Sequence, residues 1–145
     1  LSMTTETILL LSKMKRVSAI KEASGDLEWD RELMDQLSKT RSKMDLLTGD
    51  DVTFLPFLLL GGKGIISVAS NLIPADMVEI FNKRNKNLFK KWSPLFSALF
   101  IETNPGPIKY AMKEVYGIPS DMRLPLVPVE PSTKKTLLAL IRGLK

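Results

Sequence analysis

The chain contains no cysteine and no histidine. Without thiols, disulfides and thiolate nucleophiles are excluded, and the cytosol is the expected compartment. Without imidazole the commonest general base and metal ligand is gone, so proton transfer falls to Lys, Tyr, carboxylates or groups outside this chain. Zinc-finger spacings are impossible on the same ground, and no metal is expected. Long apolar runs are also missing: none approaches the roughly 20 residues that cross a bilayer. The greasiest stretch, Phe54 to Leu60, holds Pro56 and stops at Gly61-Gly62. No signal-peptide pattern opens the sequence. It starts at Leu1 instead of Met, as expected of a processed, cleaved or excerpted chain.

What is present is the material of a globular domain. The 145 residues are 44% apolar and 26% charged, enough for one domain with a core. The net charge of +5 raises nucleic acid as a partner. The densest basic run, Lys83-Arg84-Asn85-Lys86-Asn87-Leu88-Phe89-Lys90-Lys91, reads instead as a solvated helix face. Aromatics do not interleave with these charges in an RNA-recognition pattern, so neither nucleic acid nor membrane is expected as a partner.

Periodicity orders the chain as helix and strand in alternation. Thr4 to Met14 reads as a helix with Thr4 as N-cap and Glu6 in its first turn. Val17 to Ala23 reads as a strand. A second helix starts near Asp26 and carries Leu27, Leu33, Met34 and Leu37 at helical spacing. Met44 to Thr48 is the second strand, with Asp50 and Asp51 where the next helix should begin and Gly61-Gly62 where it stops. Gly64 to Ala69 is the third strand, and Pro74 opens a helix over Ala75 to about Lys86. Trp92 to Phe100, Ile108 to Val115 and Ser132 to Leu144 are further helices. Between them lie the turn Thr103 to Pro107 and the proline-locked stretch Arg123 to Pro128. The fold class is α/β with a parallel sheet, since alternating strands and helices imply crossover connections. Three parallel strands cannot close a barrel, so this is a small open layer or part of a larger one.

Lys21 is the residue with the most chemistry in it. An amine at the end of a strand forms Schiff bases with keto substrates, although lysines at strand ends commonly just reach solvent. Period-two alternation puts Val17, Ala19, Lys21 and Ala23 on one face. The small side chains before the lysine leave room for a ligand. Gly49 ends the second strand, where it serves either a turn or close approach of backbone to a ligand. Gly61-Gly62-Lys63-Gly64 precedes a strand and lacks the spacing of a phosphate loop, so it is read as a helix stop. Ser67 and Asn71 are read as satisfying local backbone.

Together these segments resemble the dihydrodipicolinate synthases. Ala19-Ile20-Lys21-Glu22-Ala23-Ser24-Gly25-Asp26-Leu27 is similar to the Schiff-base lysine motif of that family. Leu47-Thr48-Gly49-Asp50-Asp51 and Gly61 to Asn71 follow at its spacing and in its order. Phe100 to Lys109 and Arg123-Leu124-Pro125-Leu126 match its C-terminal signatures. The resemblance covers essentially the whole chain.

The resemblance implies a partial TIM (β/α)8 barrel. Residues 1–86 are the C-terminal part of the barrel with its last three strands, and 87–145 are a C-terminal helical region. It implies an enzyme that condenses pyruvate with L-aspartate semialdehyde through a lysine Schiff base in the diaminopimelate route to lysine. Lys21 is then the Schiff-base residue, and Gly49 and Ile66 line the pyruvate pocket. No metal and no dissociable cofactor are implied. The N-terminal half would be absent, and with it the family's threonine and tyrosine relay, its carboxylate-binding arginine and its lysine-feedback site. Tyr110 and Tyr116 do not match the relay tyrosines. Related pyruvate aldolases, such as sialic-acid lyases and sugar-acid aldolases, share fold and lysine, but Glu22-Ala23 and Thr103-Asn104-Pro105 favour the dihydrodipicolinate branch. A non-catalytic homologue or fragment is the rival of another class.

The segment Val52 to Leu60 is apolar around most of its circumference, more than one buried stripe needs. The family commonly forms tetramers as pairs of dimers, so Leu60, and Leu27 with it, are expected near a subunit contact of a cytoplasmic homotetramer.

Overall fold

The computed structural model of this chain describes residues 3–144. Three strands, β1 (Ala19–Glu22), β2 (Asp45–Thr48) and β3 (Gly64–Ile65), form a parallel sheet in the order β1-β2-β3. Each crossover carries a helix, α2 (Leu27–Ser38) and α3 (Phe54–Leu60), and α1 (Thr5–Leu11) precedes the first strand. These elements make up the compact unit Leu1–Ile66, and a second unit follows at Ser67–Lys145.

The helix starts follow from capping chemistry. Thr4 Oγ1 accepts from the Thr7 backbone N–H at 3.2 Å, and Asp26 accepts from Glu28 and Trp29 at 3.0 and 3.1 Å. Each cap satisfies donors that the first turn leaves free, a contribution of about 1 kcal/mol. At the far end of α3, Gly61 takes a left-handed conformation (φ 115°) and its N–H returns to the carbonyl of Leu58, which stops the helix as expected. Helix α3 starts three residues later than Asp51, because Asp50 instead closes a turn by accepting from the Val52 N–H at 2.9 Å.

Register fixes the two faces of the sheet. Lys21 pairs with Leu47 and Leu47 with Gly64, while Glu22 pairs with Thr48 and Thr48 with Ile65. In parallel strands paired residues point the same way. Ala19, Lys21, Asp45, Leu47 and Gly64 therefore share one face, and Ile20, Glu22, Leu46, Thr48 and Ile65 share the other. Helices α1, α2 and α3 cover the second face with a core of Ile8, Leu33, Leu37, Met44, Leu46 and Phe57. Each such side chain contributes about 1.5–3 kcal/mol by leaving water. The first face is open, and Ala19 and Lys21 on it are exposed.

The third strand is shorter than its sequence suggests. Pairing ends at Ile65, and a 3₁₀ turn occupies Ala69–Asn71. Ser67 Oγ accepts from the Ser70 N–H at 2.8 Å, and Ser70 Oγ donates back to the Ser67 carbonyl at 3.0 Å. These local bonds offer the backbone an alternative to the ladder.

The second unit is helical: α4 (Pro74–Lys83), α5 (Lys86–Ala98), α6 (Gly106–Tyr116) and α7 (Pro131–Ile141). Ile80, Leu95, Phe96, Leu99, Leu137 and Ile141 form its interior. Helix α4 ends at Arg84, which is left-handed (φ 51°), and α5 begins well before Trp92 because Asn85 caps it, accepting from Leu88 at 3.0 Å. Lys86, Lys90 and Lys91 of the basic run are exposed on α5. Trp92 Nε1 donates to Asp76 at 2.5 Å, tying α5 to α4. No helix among the described residues is long and apolar enough to cross a membrane.

Candidate active site

Lys21 sits one residue from the C-terminal end of β1, on the open face of the sheet. The strand is not buried as a lysine in a closed pocket would require: Lys21 is exposed, and helices α1, α2 and α3 of its unit pack on the opposite face. Gly49 follows the end of β2, and its N–H donates to the Glu22 carbonyl at 2.5 Å, extending the β1–β2 ladder by one step. Ile66 extends the β2–β3 ladder in the same way, its N–H bonding the Thr48 carbonyl at 2.9 Å. Period-two alternation therefore places Gly49 and Ile66 on the face of Lys21. The three residues named from sequence come together at one end of one face.

Their contact is close. A Cβ at Gly49 would overlap Cε of Lys21 and stand 2.8 Å from the Cβ of Ala23. The lysine stem thus passes over Gly49, and glycine is there because any side chain would displace it. Ile66 is 52% exposed, and it stands at the same edge of the sheet.

Directly behind Lys21, on the helix-facing side of β1, two carboxyl groups meet. Glu22 Oε1 accepts from the Ser24 N–H at 2.7 Å, but Oε2 is buried with no donor among the described residues. Asp30 of α2 is fully buried, and no donor among the described residues reaches either of its oxygens. Burial, first, and then the charge and hydrogen bond of Glu22 push its carboxyl up to about 7, with Asp26 adding to the rise. The sequence reading passed over this pair. Its signal was an acidic residue at the buried helical spacing of Leu33 and Leu37.

The other expected residues are placed plainly. Leu27 is half-buried against the core of the first unit. Leu60 is 39% exposed beside Leu59 at 58%, and lines a surface cleft of about 470 Å³ with Arg31 and Met34. Tyr116 donates its hydroxyl to the Leu72 carbonyl at 2.8 Å, a structural role.

The profile of the dihydrodipicolinate synthetase family matches residues 1–144. The chain belongs to that family. It is 39% identical over 145 residues to a 4-hydroxy-tetrahydrodipicolinate synthase of Thermodesulfovibrio yellowstonii, covering 95% of this chain and 49% of the relative. A synthase of the same name from Syntrophobacter fumaroxidans is 38% identical over 144 residues, covering 94% and 48%. Among solved structures, the dihydrodipicolinate synthase of Thermotoga maritima superposes with a TM-score of 0.88 at 33% identity, over 96% of this chain and 50% of its own. The chloride-inhibited enzyme of Acinetobacter baumannii, solved with pyruvate, gives 0.89 at 32%, over 98% and 51%. A monomeric dihydrodipicolinate synthase variant gives 0.90 at 32%, over 97% and 50%. The chain thus spans about half the length of the relatives it matches. Its three parallel strands and helices are part of the family's (β/α)8 barrel, followed by the family's C-terminal helices, and its open face is the one a closed barrel turns inward.

Proposed function

We propose that this chain supplies the Schiff-base half of a 4-hydroxy-tetrahydrodipicolinate synthase, with Lys21 as the nucleophile. The observation that carries the reading is the placement of Lys21, Gly49 and Ile66 at the C-terminal end of one sheet face, the end where barrel enzymes build their sites. The amine of Lys21 attacks the pyruvate ketone to give a carbinolamine, which loses water to an iminium. Loss of a methyl proton gives an enamine, whose carbon attacks the aldehyde of L-aspartate semialdehyde. The amino group of the semialdehyde portion then attacks the iminium carbon, closing the ring as a cyclic imine and releasing Lys21 as the free amine. The iminium is the electron sink, so the reaction needs no dissociable cofactor.

The bare glycine face at Gly49 keeps the lysine stem in place, and Ile66 shapes the pocket wall. Residues through 86 form the barrel part and those from 87 the helical region. The working protein is a cytoplasmic homotetramer, with Leu27 and Leu60 near the contact between dimers.

Borohydride reduction with pyruvate, in the barrel completed by the N-terminal half that the relatives possess, is the test. A single adduct at Lys21, lost in Lys21→Ala, is expected. An adduct on Lys63 or Lys109 instead removes the proposal. The span of only half a relative favours one further statement: this chain alone lacks synthase turnover.

A further inference from the structure

A second glycine makes a close contact where β1 and β2 end. Gly25 lies in the loop between β1 and α2 with a left-handed backbone (φ 74°), and a Cβ there would stand 2.8 Å from Asp50 Oδ2. Ordinary contact begins at 3.4 Å, so the Asp50 carboxyl group sits in the space that the missing side chain leaves.

Its own loop aims it there. Oδ1 accepts from the Val52 N–H at 2.9 Å, and Oδ2 accepts from the Thr53 hydroxyl at 3.2 Å. The Asp50 N–H donates to Oγ1 of the buried Thr48 at 3.1 Å. Gly25 is held from its own side, since the Asp26 N–H donates to Ser24 Oγ at 3.2 Å and Asp26 in turn caps α2. The two loops therefore meet at three places: Lys21 over Gly49, the Gly49 N–H on the Glu22 carbonyl, and Asp50 against Gly25.

We propose that Asp50 is a positioning residue for Lys21, acting through the seat of its carboxyl group against Gly25. A single hydrogen bond between Gly49 and Glu22 fixes one distance and leaves the β2–α3 loop free to turn about it. The contact one residue further on removes that freedom and keeps Gly49 beneath the lysine stem. What matters is the shape of the side chain and its bonds to Val52 and Thr53, not its charge. The role rests on the Schiff-base reading for its effect on the reaction, and on the contacts alone for its effect on the loop.

The test uses the completed barrel in five forms: unaltered, Asp50→Asn, Asp50→Ala, Gly25→Ala, and Gly25→Ala with Asp50→Ala. Asparagine keeps the shape and the acceptor for Val52, whereas alanine empties the seat. A methyl group at Gly25 drives Asp50 out by more than about half an ångström. Borohydride capture of pyruvate is followed to saturation without the aldehyde, so a contact of Asp50 with the second substrate does not enter. Hydrogen exchange of the Gly49 amide is measured without pyruvate.

The capture rate at saturating pyruvate is expected to fall about tenfold in Asp50→Ala and in Gly25→Ala, short of the roughly 10²-fold cost of a full ångström of displacement. It is expected to return in Asp50→Asn. The half-saturating pyruvate concentration stays unchanged, because the carboxylate-binding group is expected outside this chain. A variant that is merely unstable loses captured fraction instead of rate. The Gly49 amide exchanges faster in the two slow variants. The double variant is about tenfold slow and not about hundredfold, since both substitutions undo one contact. An unchanged rate in Asp50→Ala, a change confined to half-saturation, losses that multiply in the double variant, or asparagine as slow as alanine each overturns the proposal. If Gly25→Ala does not fold, asparagine against alanine at residue 50 decides. If the unaltered protein forms no adduct, the Schiff-base reading fails, while Gly49 exchange still decides the interlock.

Discussion

Replacing Gly49 by alanine adds one methyl group at the tightest point of the site. That Cβ would overlap Lys21 Cε, stand 2.8 Å from Ala23 Cβ and lie 3.3 Å from the Glu22 carbonyl oxygen. Carbon atoms pack at about 3.5–4.0 Å, so the lysine stem must move by more than about 1 Å. A shift of that size at a reacting group costs about 10²-fold in rate. Stability should suffer less. The backbone at Gly49 is not in the left-handed region, so alanine adopts it without strain, and the lysine tip yields easily. The crowding at Ala23 and the carbonyl leaves about 1–3 kcal/mol of overpacking. The assay is the rate of borohydride-trapped adduct in the completed barrel, alongside urea unfolding of the same variants. In a Lys21→Ala background the stability cost of Gly49→Ala should shrink, because the atoms it strikes are gone. Trapping at the unaltered rate, or additive stability costs, would refute the idea that the lysine lies over this glycine.

Three further outcomes follow from the same structure. Asp30 binds a proton in the folded state that it releases at 3.8 when exposed, its carboxyl being pushed up to about 7 by burial and Glu22. The stability this brings is fully present below 3.8 and lost as pH rises through about 7. The window is about three pH units wide, so at about 1.4 kcal/mol per unit the loss is at most about 4 kcal/mol, and denaturant unfolding of Asp30→Asn should show that slope flattened. Leu60→Asp in the completed protein should weaken the proposed contact between dimers and lower the mass in solution on dilution, and an assembly that resists dilution would place the apolar face of α3 within one subunit. The 145-residue chain alone should show no synthase turnover, since it spans about half the length of the relatives and the general acid–base groups, worth roughly 10²–10⁴-fold, are proposed to lie outside it. Normal turnover of the isolated chain would contradict that division of labour.

Much of this arrangement was legible in the linear sequence, and the reasons differ from element to element. Strand β1 shows period-two alternation that puts Ala19 and Lys21 on one face, as the register does, whereas β2 is legible as a short apolar run, and the exposure of Lys21 differs from the burial its apolar neighbours suggested. The caps Thr4 and Asp26 are local chemistry, readable without any tertiary contact. The misreadings are also local, but they are contests between local bonds. Gly64 to Ala69 has the composition of a strand, and the Ser67–Ser70 bonds end it early. Asn85 lies inside a basic run whose charge drew attention away from its capping side chain.

Asp30 was illegible for a different reason. Its spacing with Leu33 and Leu37 already put it on the buried face, but an acid in an apolar stripe is ordinarily a boundary residue that turns to water. What makes this one different is Glu22, which lies on another element and faces Asp30 only because β1 pairs with β2 in this register. Shifting β1 by one residue would turn Glu22 to the open face and Lys21 to the helices. The register that exposes the amine is thus the same one that buries the acid beside it. A half-buried carboxyl group beside Asp30 is the consequence of facing the lysine outward, and together with burial it pushes the Asp30 carboxyl up to about 7.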